Sequence, residues 1–172
     1  MKEQRVRKVR LIPFDQATIQ AIDECPNDVE RQLRVSFGSV LETIRDVGKQ
    51  TAALLIKSPR PAPWGAYLAT DSNSGEVIGT CAFTDAPGPS GTVEIAYFTF
   101  PLFEGRGYAT AMAAELLAVA DSSEPKCPII AHTLPEQNAS TRVLEKNGFR
   151  RVGEATDPDV GAVWRWQRDP RS

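Results

Sequence analysis

Apolar positions along the chain recur with two different periods, and each change of period predicts a change of element. Val6, Val9, Leu11 and Ile12 are set among Arg and Lys, which predicts an edge strand over 6–12 that Pro13 stops. Two helices follow. The first, over 17–24, ends ahead of Pro26, because the residue before a proline is pushed out of the helical region. The second, over 28–47, carries Leu33, Phe37, Val40, Leu41 and Ile44 at three- and four-residue spacing, one buried stripe. The stretch 57–65 holds Pro59, Pro61 and Pro63 and is a loop. It reads either as the rim of a substrate pocket or as a stiff connector anchored by Trp64. Strands are predicted over 66–70 and 77–84, around the turn-rich Asp71-Ser-Asn-Ser-Gly75, and over 92–100. The period then switches: Ala109, Met112, Ala113, Leu116, Leu117 and Ala120 make one face of an amphipathic helix. A strand over 128–134, a helix over 138–147 stopped by Gly148, and strands over 149–154 and 160–167 complete the chain. In the last strand Val160, Ala162, Trp164 and Trp166 alternate onto one face, with the tryptophans expected in the core. This order predicts a mixed α/β domain on one central sheet.

Composition narrows the partners. A chain of 172 residues with 41% apolar and 24% charged residues suits one domain, residues 1–172, with a core of its own. Twenty Lys and Arg against 22 Asp and Glu leave a net charge of −2. That excludes a bulk electrostatic hold on nucleic acid or on an anionic membrane. The basic opening, 1–10, is interrupted by apolar residues and reads as a solvated edge strand rather than a binding arm. Cys25, Cys81 and Cys127 are odd in number and far apart, and His132 is the one histidine, so neither a disulfide framework nor a metal site is expected. No apolar run is long enough for a bilayer and no signal-peptide core opens the chain, so the expected compartment is the reducing cytoplasm. Either a monomer or a homodimer is compatible.

The segment that carries chemistry is Phe98-Thr-Phe-Pro-Leu-Phe-Glu-Gly-Arg-Gly-Tyr-Ala-Thr110. A strand ends at Pro101 and a Gly-x-Gly turn opens into the amphipathic helix. The first N–H groups of a helix lack internal partners and sit at the positive end of its dipole, which favours an anion there. Gly105 and Gly107 let a phosphate approach the main chain, and Arg106 adds a charge or is simply solvated. A tight connector has the same pattern. The segment is not a Walker loop, because no Gly-Lys-Ser/Thr follows, and it lacks the βαβ context of a dinucleotide fold.

The run Glu-Gly-Arg-Gly-Tyr-Ala-Thr is preceded by Val-Glu-Ile-Ala-Tyr-Phe. Some thirty residues on comes Pro-Glu-Gln-Asn-Ala-Ser-Thr-Arg-Val-Leu-Glu-Lys-Asn-Gly-Phe. Together these resemble the GNAT superfamily of N-acetyltransferases, and within it the branch of ribosomal-protein N-terminal acetyltransferases. The resemblance is strongest over 64–168. It implies a GNAT fold, a mixed sheet of six to seven strands with a splayed pair and about four helices. It implies acetyl-CoA as donor and direct transfer to the amine of a protein N-terminus or small molecule.

Residue by residue, the resemblance places the CoA pyrophosphate on main-chain amides from Gly105 through Arg106, Gly107, Tyr108 and Ala109 to Thr110. Glu104 departs from the Arg or Gln of the motif. Main-chain groups of Phe98, Thr99 and Phe100 are the candidates to line the pantetheine arm and donate to the thioester oxygen, where negative charge develops. Glu94 takes the place of the general base. Its strand face carries Ala96, Phe98 and Phe100, apolar neighbours that raise a carboxyl pKa. His132, on the next motif strand, is the rival base. Gln137 stands where many relatives have asparagine, and Asn138 comes next. Asn138 and Ser140 are expected to cap the following helix and to touch pantetheine or the sulfur. The tyrosine that many relatives use as acid is replaced by Leu144, which leaves Ser140, a water, or no acid at all. Glu104 and Leu144 also fit a second hypothesis, a CoA-binding sensor that has lost catalysis. A third is another phosphorylated ligand at the same helix start.

Overall fold

The structure is a computed structural model and describes residues 6–172, so the first five residues of the basic opening lie outside it. Seven strands form one sheet in the order β1-β2-β3-β4-β5-β7-β6. They are β1 (Val9–Pro13), β2 (Ala66–Asp71), β3 (Val77–Phe83), β4 (Val93–Thr99), β5 (Ile129–Thr133), β6 (Arg150–Asp157) and β7 (Gly161–Arg168). Every neighbouring pair is antiparallel except β4 and β5, which run parallel. The predicted edge strand is present but shifted. Pro13 lies inside it, opposite Tyr67, and an edge strand tolerates the missing donor.

Among the described residues five α-helices flank the sheet: α1 (Gln16–Glu24), α2 (Pro26–Leu33), α3 (Leu41–Lys57), α4 (Tyr108–Asp121) and α5 (Ala139–Lys146). The single helix expected over 28–47 is therefore two helices. Pro26 both ends α1 and opens α2, a position where its missing N–H costs nothing. Helix α2 stops at Arg34, which takes the left-handed conformation at φ 55°. Ser36 then bridges to Glu76, donating to Gly75 O at 2.8 Å and accepting from Val77 N at 3.0 Å. Helix α3 runs well past the expected end at Val47. Gly48 lies within it because a Cβ there would sit 3.2 Å from Ile19 Cγ2 and 3.3 Å from Phe14 Cζ. It marks a close crossing of α3 with α1.

The two faces of the sheet are covered differently. Gly79 of β3 faces α4, and Met112 lies beside it. The alternate positions, Thr80 and Ala82 with Ala96 and Phe98 on β4, face Phe14 and Thr51 on the side of α1 and α3. Met112, Leu116, Ile44 and Leu144 are fully buried, and each contributes on the order of 1.5–3 kcal/mol by leaving water. Trp64 is buried edge-to-face on Phe83 at 5.0 Å, so it does anchor the proline loop. Trp166 is in the core and Trp164 packs half-buried against it, whereas Val160 lies in the turn before β7, 59% exposed.

Candidate active site

Beyond β4 the chain makes a short 3-10 turn at Pro101–Phe103 and then enters the Gly-x-Gly turn. Gly105 has φ 71° and Gly107 φ 86°, conformations open to glycine at little cost. Gly107 caps α4 with its backbone; no side chain caps that end, so the first-turn N–H groups remain free of intrahelical partners. A Cβ at Gly105 would meet nothing within 4 Å, and at Gly107 only Arg7 Cγ at 3.8 Å. The glycines are required by φ, and the space beside them is open.

That space is a cavity of about 590 Å³ bounded by 105–107, Thr110 and Ala111, to which Arg7, Lys8, Arg106 and Lys146 bring cations and Glu115 a single carboxylate. Arg7 donates to Arg106 O at 3.3 Å and lies 5.2 Å over the Tyr108 ring. Glu104 is exposed and does not line the cavity, so its carboxylate does not oppose an anion held there. The turn is tied to the rest of the fold by Asp71, which accepts from Tyr108 Oη at 2.7 Å and from the N–H groups of Asn73 and Ser74 at 2.8 and 3.0 Å. Burial pushes the Asp71 carboxyl up, but the bonds from Tyr108, Ser74 and Asn73 and the charge of Arg7 outweigh it and hold the pKa below the ordinary value. Burial and the same bond push Tyr108 up to about 12.

Strands β4 and β5 pair at only two positions, Val93 with Ile129 and Glu94 with Ile130, and then part. Along β4, Glu94 O accepts from Thr84 N at 2.8 Å and Phe100 N donates to Ile78 O at 3.0 Å. Hydrogen-bonded positions alternate in an antiparallel ladder. The even residues from Glu94 to Phe100 therefore bond to β3, and Ile95, Tyr97 and Thr99 turn their main-chain groups to the β5 side. Of the three residues expected to line the pantetheine arm, only Thr99 has its main chain on the gap. The Phe98 and Phe100 groups are committed to the sheet, and Tyr97 joins Thr99.

At the fork stand two half-buried side chains. Glu94 Oε1 lies 2.7 Å from His132 Nδ1. In the neutral imidazole that bond places the proton on Nδ1 and leaves the Nε2 lone pair open. The apolar surround expected of Glu94 is incomplete: Phe100 is buried, but Ala96 is exposed and Phe98 is 45% exposed, and the partner of the carboxylate is the imidazole. Arg165 of β7 stands directly opposite His132, its Nε buried without a partner. On the other face of β4, Tyr97 Oη lies 3.1 Å from Ser140 Oγ at the start of α5. Asn138 caps α5, accepting from Thr141 N at 3.0 Å, while the Thr141 hydroxyl returns to Asn138. Ser140 takes no part in the cap. Asn147 Nδ2 donates to Thr110 O at 3.2 Å, joining the second motif to the first turn of α4.

A protein-family model for the acetyltransferase (GNAT) domain matches residues 10–150. The chain belongs to the GNAT acetyltransferase family. The family draws its acetyl group from acetyl-CoA. Among solved structures, a GNAT-family acetyltransferase from Bacillus anthracis matches with a TM-score of 0.62 at 18% identity, covering 96% of each chain. The ribosomal L7/L12 α-N-protein acetyltransferase RimL, solved with coenzyme A, matches with a TM-score of 0.63 at 17% identity, covering 95% of this chain and 94% of that one. The ribosomal-protein-S5-alanine acetyltransferase from Vibrio fischeri gives 0.61 at 16% identity, covering 95% and 93%. These likenesses are of fold. Among curated proteins none matches the sequence.

In this GNAT domain the structure brings Glu94 and its rival His132 into one hydrogen-bonded pair. The pattern carried no hint of that, because the pairing depends on the register of two parallel strands. Asp71 had the look of an ordinary turn residue and Arg7 and Lys8 of a solvated strand, yet all three reach the Gly-x-Gly turn or the cavity beside it. Tyr97 was legible only as part of a strand. Among the described residues no three His, Cys, Asp or Glu converge on a metal site, and no helix is long and apolar enough to cross a membrane. Cys81 and Cys127 are buried, and burial pushes both thiols up.

Proposed function

We propose that the chain, acting as one domain, is an N-acetyltransferase that moves the acetyl group of acetyl-CoA directly onto a primary amine of a small molecule or protein N-terminus. The observation that carries this is the Glu94–His132 pair at the point where β4 and β5 part, on the α1 and α3 side of the sheet. The residues fit the donor: a positive-φ turn with free amides, an adjoining cationic cavity, and a gap edged by unpaired main chain. Amides of 105–110 hold the diphosphate, with Arg106, Arg7 and Lys146 at the cavity. Thr99 N–H donates to the thioester oxygen, where charge develops as the amine adds.

An amine arrives as an ammonium, and only its neutral form attacks. His132 Nε2 accepts the proton and Glu94 stabilises the resulting imidazolium through Nδ1. The C–N bond forms, the C–S bond breaks, and the electron pair leaves on sulfur. An intermediate on Cys81 is disfavoured, because burial and the charge of Glu115 hold it as an unreactive thiol.

Next to the pair, the sheet face that receives the acceptor offers Ala82, Ala96 and Phe98 over a small cavity of about 150 Å³, and Arg165 flanks the other side. That surface suits an amine on an uncharged, compact body better than a polycation. Thiol release from acetyl-CoA, measured across peptides, amino acids, polyamines and aminoglycosides, tests both statements. Short peptides or monoamines should turn over and polyamines should not. Glu94→Gln and His132→Gln should each lower kcat by roughly 10²–10⁴-fold and leave the Kd of CoA unchanged. Full kcat in Glu94→Gln at every pH would remove it from the chemistry. Tight CoA binding with no thiol release from any amine would instead favour the sensor, the reading to which the buried Leu144 also points.

A further inference from the structure

We infer that Tyr97 is a positioning residue that aims the Ser140 hydroxyl at the departing sulfur of CoA, an assignment that rests on the function proposed above. Tyr97 lies on the stretch of β4 that has parted from β5, and its side chain projects to the face opposite Glu94. Its Oη is 3.1 Å from Ser140 Oγ and 3.4 Å from Ser140 O. The pair thus spans the two sides of the gap, one partner on β4 and the other on α5.

Three polar side chains open α5, and two of them are spent on the helix itself. Asn138 Oδ1 accepts from Thr141 N, and the Thr141 hydroxyl lies within bonding distance of Gln137 Oε1 and Asn138 O. One turn further, Leu144 is fully buried and offers no donor. Ser140 is therefore the hydroxyl at this end of α5 that is free to serve a ligand. A serine hydroxyl has one proton and rotates to suit its neighbours. When the phenol donates to Ser140 Oγ rather than to Ser140 O, that oxygen has an acceptor site filled and its own O–H is free to turn to a ligand in the gap. Burial pushes the Tyr97 phenol up, against the lowering effect of the Ser140 bond, so it stays a protonated donor through the neutral range.

The step balances without proton transfer from either side chain. The C–S bond breaks and its electron pair goes to sulfur. Ser140 O–H donates a hydrogen bond to the thiolate, which later takes a proton from solvent. The nitrogen gives up two protons, one from the ammonium before attack and one after the C–N bond has formed, and each leaves in turn through His132 to solvent. A thiol with a pKa near 8.5 is a tolerable leaving group, and a hydrogen bond to its anion makes it a better one.

The experiment uses the whole protein with CoA itself and no amine. The ultraviolet absorbance of the thiolate is followed against pH for bound CoA in the wild type, Tyr97→Phe, Ser140→Ala and the double variant. The wild type should hold roughly tenfold more CoA as thiolate at pH 7 than free CoA does. Each single variant should lose most of that excess, and the double variant no more than Ser140→Ala alone, as for groups acting in series. In turnover both single variants should show kcat lowered roughly tenfold with the Kd of CoA within twofold. If CoA binds and Tyr97→Phe leaves the thiolate fraction unchanged, the assignment is wrong. It is equally wrong if Tyr97→Phe binds CoA more tightly, because the pair is then a strut that the cofactor displaces. Should Tyr97→Phe not fold, an unchanged thiolate fraction in Ser140→Ala overturns it alone. Failure of wild-type protein to bind CoA removes the function proposed above.

Discussion

Asp71 ends β2 and would pass for a turn residue, yet its buried carboxylate is the tether of the Gly-x-Gly turn. Its bond to Tyr108 fixes the first residue of α4, and Arg7 adds charge from the segment before β1. Tyr108→Phe should cost roughly 1–2 kcal/mol of stability, because Asp71 loses a donor in a site with little water to replace it. CoA affinity should fall about fivefold as the turn loosens, a factor worth about 1 kcal/mol. Urea unfolding and calorimetric titration with CoA check the two. The pH dependence has a definite sign. The folded pKa of Asp71 is depressed, so its stabilisation is fully present above the unfolded value near 3.9 and is lost as pH falls through the folded value. In Tyr108→Phe the folded value rises, and the acid-side loss of stability should shrink. A variant with wild-type stability and CoA affinity would show that the bond positions nothing.

At the scale of elements, two glycines separate packing from strain. A Cβ on Gly79 would lie 2.3 Å from Phe98 O and 3.1 Å from Thr99 Cα, main-chain atoms of β4 that cannot give way alone. Gly79→Ala should therefore push β4 off its register, cost about 2–4 kcal/mol and depress kcat, since Thr99 moves with the strand. Gly48→Ala meets only the Ile19 and Phe14 side chains, and its gain in helix propensity of about 1 kcal/mol offsets the crowding. It should unfold within about 1 kcal/mol of wild type; equal losses in the two variants would contradict this contrast. Such contacts explain what was legible beforehand. Periodicity located β4, β5, α4 and α5 because each buries one regular face, whereas β2 and β3, buried along most of their length, were marked by the turn-rich segment between them. It failed across α2 and α3 because Arg34 takes a left-handed turn that no glycine announces, and because the apolar stripe counted over 28–47 does not mark where α3 ends. Glu94 and His132 were visible singly; only the Glu94–Ile130 register makes them a pair.

Over the whole molecule the sheet is two half-sheets, β1–β4 and β5–β7, joined edge to edge by only two paired positions of β4 and β5. Polar clasps supplement that seam. One runs from Asn147 to Thr110. The stronger is Asp121 at the end of α4, which holds Arg168 of β7 through bonds of 3.1 and 2.7 Å and accepts from Arg171 N at 3.1 Å. The Arg168 side chain is 6% exposed, so leaving it unpaired is expensive. The Arg168 bonds hold the Asp121 carboxyl below its ordinary pKa, with the Arg171 amide adding to them and partial burial opposing. With the folded value depressed, the clasp stabilises the fold above the unfolded pKa near 3.9 and is released as pH falls through the folded value. Asp121→Asn should lower stability at neutral pH by roughly 2 kcal/mol. The difference from wild type should close on acidification, because both proteins then lack the charge. Urea midpoints measured from pH 6 down to pH 2.5 decide it: converging curves place the linkage at this clasp, and parallel curves assign the acid sensitivity elsewhere. Saturating CoA adds stability according to its own Kd. If the clasp acts only on the seam and leaves the Gly-x-Gly turn in place, that increment is the same in Asp121→Asn as in wild type at neutral pH.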